Sequence, residues 1–285
     1  MTPARHLWTL FEPLHAVTYF APEPRAAFEA AGYRGFWRGY FAGRSAPLGP
    51  APAAVSTALY AGFAPSMVER AIPSVWDLAP PEAALKARLD GSVAVLGRLL
   101  AGSPGVEEAA DLLREVASGA PTSGRALGAA NAALPWPEEP LGELWHAATV
   151  LRELRGDGHV LAQLAVGLDG LSTMVLRCGH DMTREVLQRN RGWGDLEWEI
   201  AAERLTERGL LHRDGRISEA GAATLARAEE ITDRLAQEPW DALGPDRTAR
   251  WVELATPLAR AARAELPEVT PLGLPDPQRT SDVTA

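Results

Sequence analysis

Residues 195–221, DLEWEIAAERLTERGLLHRDGRISEAG, decide how this chain is expected to fold. Residues 195–208 carry apolar positions at helical spacing. Leu210–Ile217, LLHRDGRI, is the best strand signal in the chain, with Asp214-Gly215 as the tight turn of a hairpin. EAGAATLARAEEITDRL follows as a long helix. Helix, hairpin and long helix in this order predict the recognition helix, wing and following helix of a winged helix-turn-helix.

Outward from this stretch, apolar residues recur at helical spacing almost everywhere, and helices are expected over most of the chain. One runs over 139–155 and turns at Gly156 and Gly158 into a second over 159–168. The two halves of the chain also look alike. Leu7-Trp8 returns as Leu144-Trp145, an offset of 137 (144 − 7), and Glu82 returns as Glu219, again 137 (219 − 82). Gly32-x-x-Gly35 returns as Gly167-x-x-Gly170 at 135, and Gly105 as Gly244 at 139. Four anchors within two residues of one offset point to an ancestral duplication. In the first half AIPSVWDLAPPEAA stands where the wing belongs, so that wing is lost.

The segment RLTERGLL…DGRISEAG is similar to the corresponding part of MarR-type regulators. The resemblance implies an all-α fold with a small β-hairpin wing. Two tandem winged-helix-like units would form, in one chain, the pseudo-dimer that MarR proteins build from two. The expected boundaries are a first repeat over 1–120, a connector over 121–137, a second repeat over 138–265 with its wing near 210–217, and an extended arm and disordered tail over 266–285.

A winged helix raises DNA binding, and the charges argue against it. The chain carries a net charge of −9, and residues 195–208 hold five acids against Arg204 and Arg208. A helix lying between two phosphate rows needs a neutral or positive face. The alternative is that some of these acids point away and Arg204, Arg208, Arg213 and Arg216 form one basic edge. One cysteine, Cys178, excludes internal disulfides and points to the cytoplasm. No apolar run reaches membrane length, and the N-terminal MTPARHLWTLFEP breaks any signal core with proline and glutamate. Ala, Arg, Gly and Pro dominate, and Lys86 is the only lysine, as in proteins of high-GC genomes.

The stretches LWTLFEPLHAVTYFAPE, GFWRGYFAGRSAPLGP, GRALGAANAALPWPEEPL, LWHAATVLRELRGDGHV, GLDGL and RGWGDLEWE make the chain to about Pro275 resemble an actinobacterial helix-turn-helix family of unknown function. Some relatives lie in natural-product gene clusters. The resemblance implies aziridine formation there, by expulsion of a sulfate ester. The family pattern R-E-H-R-G-D-G-H has a histidine where this chain has Leu154. If that histidine is the family's base, this chain is a divergent or non-catalytic partner subunit.

Several residues can carry chemistry. In Arg155-Gly156-Asp157-Gly158-His159 the glycines would let amides converge, and His159 would open a helix whose dipole favours an anion. Arg155 would add a bidentate oxyanion donor, and Asp157 would cap that helix or orient His159. The same residues equally fit a helix end with a capping aspartate. His15 and Tyr19, four apart, share a helix face; they are either packing or one wall of a central cleft between the repeats. Arg44 either caps its own helix or reaches that cleft, with Tyr40 and Trp37 beside it or in the core. No metal motif, nucleotide loop or nucleophile elbow occurs, so no metal or cofactor is expected.

The expected function is a cofactor-free tailoring enzyme, or its partner subunit, acting on an anionic small molecule by elimination of a sulfate under attack by an internal amine. His15, His159 and Asp157 are the candidate catalytic groups, and Arg155, Arg44, Tyr19, Tyr40 and Trp37 the candidate ligand contacts. A homodimer or a homologous partner subunit is compatible with this reading. The alternatives are a ligand-responsive MarR-like DNA-binding regulator and a non-catalytic small-molecule-binding protein.

Overall fold

The computed structural model describes residues 2–274, and the remainder of the expected tail lies outside the described residues. Fourteen α-helices follow one another: α1 (Pro3–Phe20), α2 (Pro22–Ala30), α3 (Phe36–Ser45), α4 (Ala53–Leu59), α5 (Pro65–Glu69), α6 (Pro81–Leu99), α7 (Val106–Gly119), α8 (Ala126–Ala132), α9 (Pro140–Ala165), α10 (Gly170–Cys178), α11 (Arg184–Arg191), α12 (Asp195–Glu207), α13 (Glu219–Leu243) and α14 (Pro245–Arg263). Prolines open many of them, where a missing N–H costs nothing and φ is already helical.

The central element is α9. Leu144, Trp145, Ala147, Ala148, Val150 and Leu151 are all buried, as expected of a helix covered on every side. Against it lie α1, α6, α7, α8 and α13. The largest core draws on α1, α6, α7, α9, α13 and α14, and so on both halves of the sequence. A second core forms around Phe41, Tyr60, Phe63 and Ile72, and a third under α10–α13 around Leu176, Leu187, Trp198 and Leu205.

α11 and α12 follow one another across the short turn 192–194, in the order helix, turn, helix. Thr183 caps α11 through a bond from Val186 N to its Oγ1 (3.4 Å), and Gly192 ends it in the left-handed region (φ 77°). Glu197 accepts from Gly194 N (2.9 Å) at the start of α12. The turn is docked on the first half of the chain. Trp193 Nε1 donates to the Gly62 carbonyl (3.0 Å) and Ala64 N to the Arg191 carbonyl (2.8 Å). Gly170 meets Ala61 so closely that a Cβ there would sit 1.9 Å from the Ala61 carbonyl oxygen.

Two expectations are corrected. The β-hairpin wing is absent: no strand or sheet occurs among the described residues, and residues 210–217 hold one isolated bridge, Leu211–Ile217. The Asp214-Gly215 turn does form, with Asp214 Oδ1 accepting from Arg216 N (3.1 Å) and Gly215 at φ 83°. The ladder stops because its donors point elsewhere. His212 N reaches the Arg216 carbonyl (2.8 Å) and Ser218 N the Leu210 carbonyl (3.2 Å), but the reciprocal donors turn away, Arg216 N to Asp214 Oδ1 (3.1 Å) and Leu210 N to the Leu205 carbonyl (2.9 Å). Without wings there are no winged-helix units, so the MarR-like pseudo-dimer gives way to an all-α fold with a helix-turn-helix.

The second correction concerns 156–158. The helix does not end there, and α9 continues through both glycines to Ala165. Each glycine inside a helix costs about 1 kcal/mol relative to alanine, but the flanking residues are packed. Leu154 lies so close to Gly128 that a Cβ there would be 2.4 Å from Leu154 Cδ2, and Gly158 faces Leu235. Among the described residues no single helix is long and apolar enough to cross a membrane.

Candidate functional site

Because α9 is unbroken, Arg152, Arg155, His159 and Gln163 fall on one face at spacings of three and four. This face forms one wall of a cleft of about 240 Å³. Trp8 and Glu12 of α1 stand beside it. Opposite are Met174 and Arg177 of α10, Leu187 and Arg191 of α11, and Pro271–Gly273 of the arm that follows α14.

The four arginines differ in how far they are neutralised. Arg177 is paired with Asp181 through two bonds of 2.5 and 2.7 Å. Arg152 donates to Glu153 (2.8 Å) and lies 3.5 Å from Glu12. Arg155 stacks over Trp8 at 4.3 Å and reaches Glu229 and Asp233 only at 3.4 Å each. Its Nε is buried without a partner, and burial lowers its pKa against the pull of Glu229 and Asp233. Arg191 has no ion pair among the described residues. It lies over Phe63 at 4.4 Å and donates to the Pro271 carbonyl (3.3 Å), and burial lowers its pKa too.

The hydrogen-bond network sets the His159 tautomer. Thr232 Oγ1 donates to the Ala228 carbonyl (2.8 Å), so it accepts from His159 Nδ1–H (3.0 Å). The lone pair of Nε2 then takes an N–H of Gln163 (2.7 Å). Burial holds the ring at a pKa of about 4, opposed by Glu229, so it is neutral at pH 7.

A second, smaller chamber of about 30 Å³ backs onto the cleft across the Arg152–Glu153 pair. It holds His15, Tyr19, Tyr40 and Arg44, and its room suits about two waters. His15 Nδ1–H donates to Thr149 Oγ1 (2.9 Å), whose own proton goes to the Trp145 carbonyl (2.8 Å). Tyr19 OH donates to His15 Nε2 (2.9 Å). Burial, helped by Arg152, holds His15 well below the usual histidine pKa. Arg44 donates to both oxygens of Glu153 (2.8 and 3.2 Å) and to Tyr40 OH (3.1 Å), and it stacks over Tyr60 at 4.4 Å. Glu153 is itself buried. Its flanking guanidiniums, Arg152 foremost, overcome the desolvation and hold it at about 2.

The expected site residues thus separate into groups. Arg155 and His159 line the cleft, while His15, Tyr19, Tyr40 and Arg44 line the chamber. Asp157 lines neither. It points from the other side of α9 to accept from Gly128 N (2.9 Å), near the start of α8, and burial raises its pKa to about 6. The expected helix opening at His159 does not exist, so neither the converging amides nor the local cap are formed. Trp37 packs among Tyr40, Phe41 and Phe63. Sequence reasoning missed Glu153, Gln163 and Arg191. Arg191 carries no local signal, because only folding brings it from the helix-turn-helix to α9. Among the described residues no group of three His, Cys, Asp or Glu is placed to hold a metal ion.

Gly156 sits mid-way along the cleft wall, where an added Cβ would meet nothing closer than 3.8 Å. Gly156→Ala is therefore expected to raise stability by about 0.5–1 kcal/mol through helix propensity. Gly156→Leu would project into the cleft and block it. Urea unfolding of the first and ligand titration of the second check both statements.

The fold and the site define an all-helical protein whose helix-turn-helix is built into the wall of an arginine-lined cleft. The chain belongs to a helix-turn-helix family, which matches residues 4–269. No curated protein and no solved structure matches it. The family brings nucleic-acid binding back as a possibility that the net charge had set aside.

Proposed function

We propose that this protein binds an anionic small molecule in the arginine-lined cleft and assists departure of an oxyanion leaving group. The observation that carries this reading is Arg191: a half-buried guanidinium facing a cleft with no carboxylate of its own among the described residues. A cation partly withdrawn from water without a counter-charge is costly, and an anion relieves that cost. Arg155, with an unpartnered buried Nε, supports the same reading.

The chemistry proposed needs no cofactor. A sulfate ester leaves as an amine in the same molecule attacks the carbon that bears it, closing a three-membered ring. Arg155 and Arg191 hold the departing oxygens. His159 is neutral and receives the amine proton at Nε2 once Gln163 has turned away. The similarity of LRELRGDGH to a family with relatives in natural-product clusters supports this reaction class. His15 and Arg44 are saturated by Tyr19, Thr149 and Glu153, so in this proposal they support the cleft from behind.

Calorimetric titration with 2-aminoethyl sulfate tests the proposal, with released sulfate measured in parallel. Arg155→Ala and Arg191→Ala are each expected to weaken binding at least about tenfold, the scale of one charge-assisted hydrogen bond. Unchanged affinity in both variants would remove the cleft as the site. Binding without sulfate release would leave a binding protein only.

A ligand-responsive DNA-binding regulator is the second reading, favoured by one observation: Arg191 ends α11, so a ligand in the cleft touches the helix-turn-helix directly. Against it, the outward face of α12 presents Leu196, Glu199, Ile200, Glu203 and Glu207, all exposed. Exposed Arg204, Arg208, Arg213 and Arg216 lie beside that face. Titration of a random-sequence duplex at low salt discriminates: affinity that falls steeply with added salt would revive the regulator.

A further inference from the structure

The cleft is larger than an inorganic anion needs, and its lining is not uniformly polar. Along α9 the wall carries Arg152, Arg155, His159 and Gln163, with Val160 as its apolar side chain, over roughly 16 Å at 1.5 Å per residue. The opposite wall is mixed. On α11, Leu187 lies one turn before Arg191 and so shares its face. Met182 follows in the same direction, in the turn before α11. Met174 of α10 flanks this run, and Leu272 of the arm lies against the cleft from outside. Of the four guanidiniums, Arg152 and Arg177 already have close carboxylates and Arg155 has distant ones. Arg191, the one with none among the described residues, stands at the end of the apolar run.

Resting on the anion-cleft reading, we infer that the ligand is an amphipathic organic monoanion: its charged head pairs with Arg191, and its apolar body lies along Leu187, Met182 and Met174 beneath Leu272. One uncompensated cation matches one anionic group. The two methionines suit an apolar body of variable shape, since an unbranched thioether side chain repacks easily. The arm contributes at both ends of this run. Pro271 accepts from Arg191, while Gly273, at φ 68°, lies so close to Arg177 that an added Cβ would be 3.1 Å from its Nη2.

The experiment is calorimetry of the full chain with inorganic sulfate, methyl sulfate, butyl sulfate and hexyl sulfate. Each added methylene buried is expected to tighten binding about threefold to fourfold, so hexyl sulfate binds far more tightly than inorganic sulfate. Met182→Ser and Leu272→Ser should each flatten that dependence, weakening hexyl sulfate far more than methyl sulfate. Leu272 is half-buried on the arm after the last helix and packs against a different core from Met182, so its variant reports even if Met182→Ser fails to fold. Arg191→Ala should weaken every member of the series at least about tenfold. Affinity independent of chain length overturns the amphipathic ligand and leaves the anion cleft standing. Failure of every sulfate to bind overturns both.

Discussion

Glu153→Ala is expected to remove about 3–5 kcal/mol of folding stability, the scale for breaking a buried ion pair from one side. The carboxylate is 3% exposed at its side chain and is shared by Arg44 at 2.8 Å and Arg152 at 2.8 Å. Those guanidiniums are themselves 10% and 14% exposed, so solvent cannot replace the lost charge. Both already act on Arg191 as like charges, and would do so with less negative charge beside them. Glu153→Gln keeps the shape and one acceptor, and should fall between alanine and wild type. Urea unfolding at pH 7 gives the comparison. The wild-type protein should show the same interaction in its acid limb. The folded pKa of Glu153, about 2, lies below the ordinary glutamate value near 4.3. Its contribution is therefore complete above the unfolded pKa and is lost as pH falls through the window between the two. In Glu153→Ala that component of acid destabilisation should be missing. Wild-type stability in the alanine variant would mean that Arg44 and Arg152 find other partners.

Gly170→Ala is expected to cost about 3 kcal/mol or more, at the upper end for overpacking. Most glycine-to-alanine changes near the start of a helix are mild. Here the new methyl would stand 1.9 Å from the Ala61 carbonyl oxygen and 2.4 Å from its carbon. These are backbone atoms, so no side-chain rotation relieves the overlap, and α10 must move away from residues 61–62. The move would pull on two other bonds of the same seam, Trp193 Nε1 to Gly62 and Ala64 N to Arg191. Since Gly62, Gly170 and Arg191 all border the cleft, sulfate affinity should fall with stability. Urea unfolding and sulfate titration on one preparation test the pair of effects. A variant with unaltered stability would show that the seam is open in solution.

How much of this was legible in the sequence depends on the distance over which each feature is decided. Features decided within a few residues were legible. The Asp214-Gly215 turn needs only its own backbone and the Asp214 carboxylate, and it forms. The helix expected over 195–208 is observed as Asp195–Glu207. His15 and Tyr19 meet at 2.9 Å, as a spacing of four requires. Features decided by tertiary partners were not legible. The wing shrinks to one bridge, held from outside by the outward amide of Ile217 on the Gly179 carbonyl, 38 residues away (217 − 179), a contact that residues 210–217 do not announce. The break at Gly156 fails because packing of Leu154 and Ala162 outweighs two glycines' reluctance to be helical. The same limit applies to the cleft: Arg155 and His159 stand out locally. Nothing near Arg191 announces α9, and nothing near Glu153 announces Arg44, 109 residues away.

The two histidines share an arrangement with a consequence for selectivity. In each, a threonine committed to a backbone carbonyl fixes the proton on Nδ1, and the basic nitrogen is covered by a donor from the protein itself, Tyr19 or Gln163. A basic nitrogen already bonded in this way is latched. Water entering the cleft gains little by approaching His159, because it must displace a bond as good as the one it offers. A ligand held at the arginines with an N–H aimed at Nε2 can displace Gln163 at no entropic cost beyond its own binding. In the proposed reaction, the molecule that fits the cleft would also be the one that frees the Nε2 lone pair of His159.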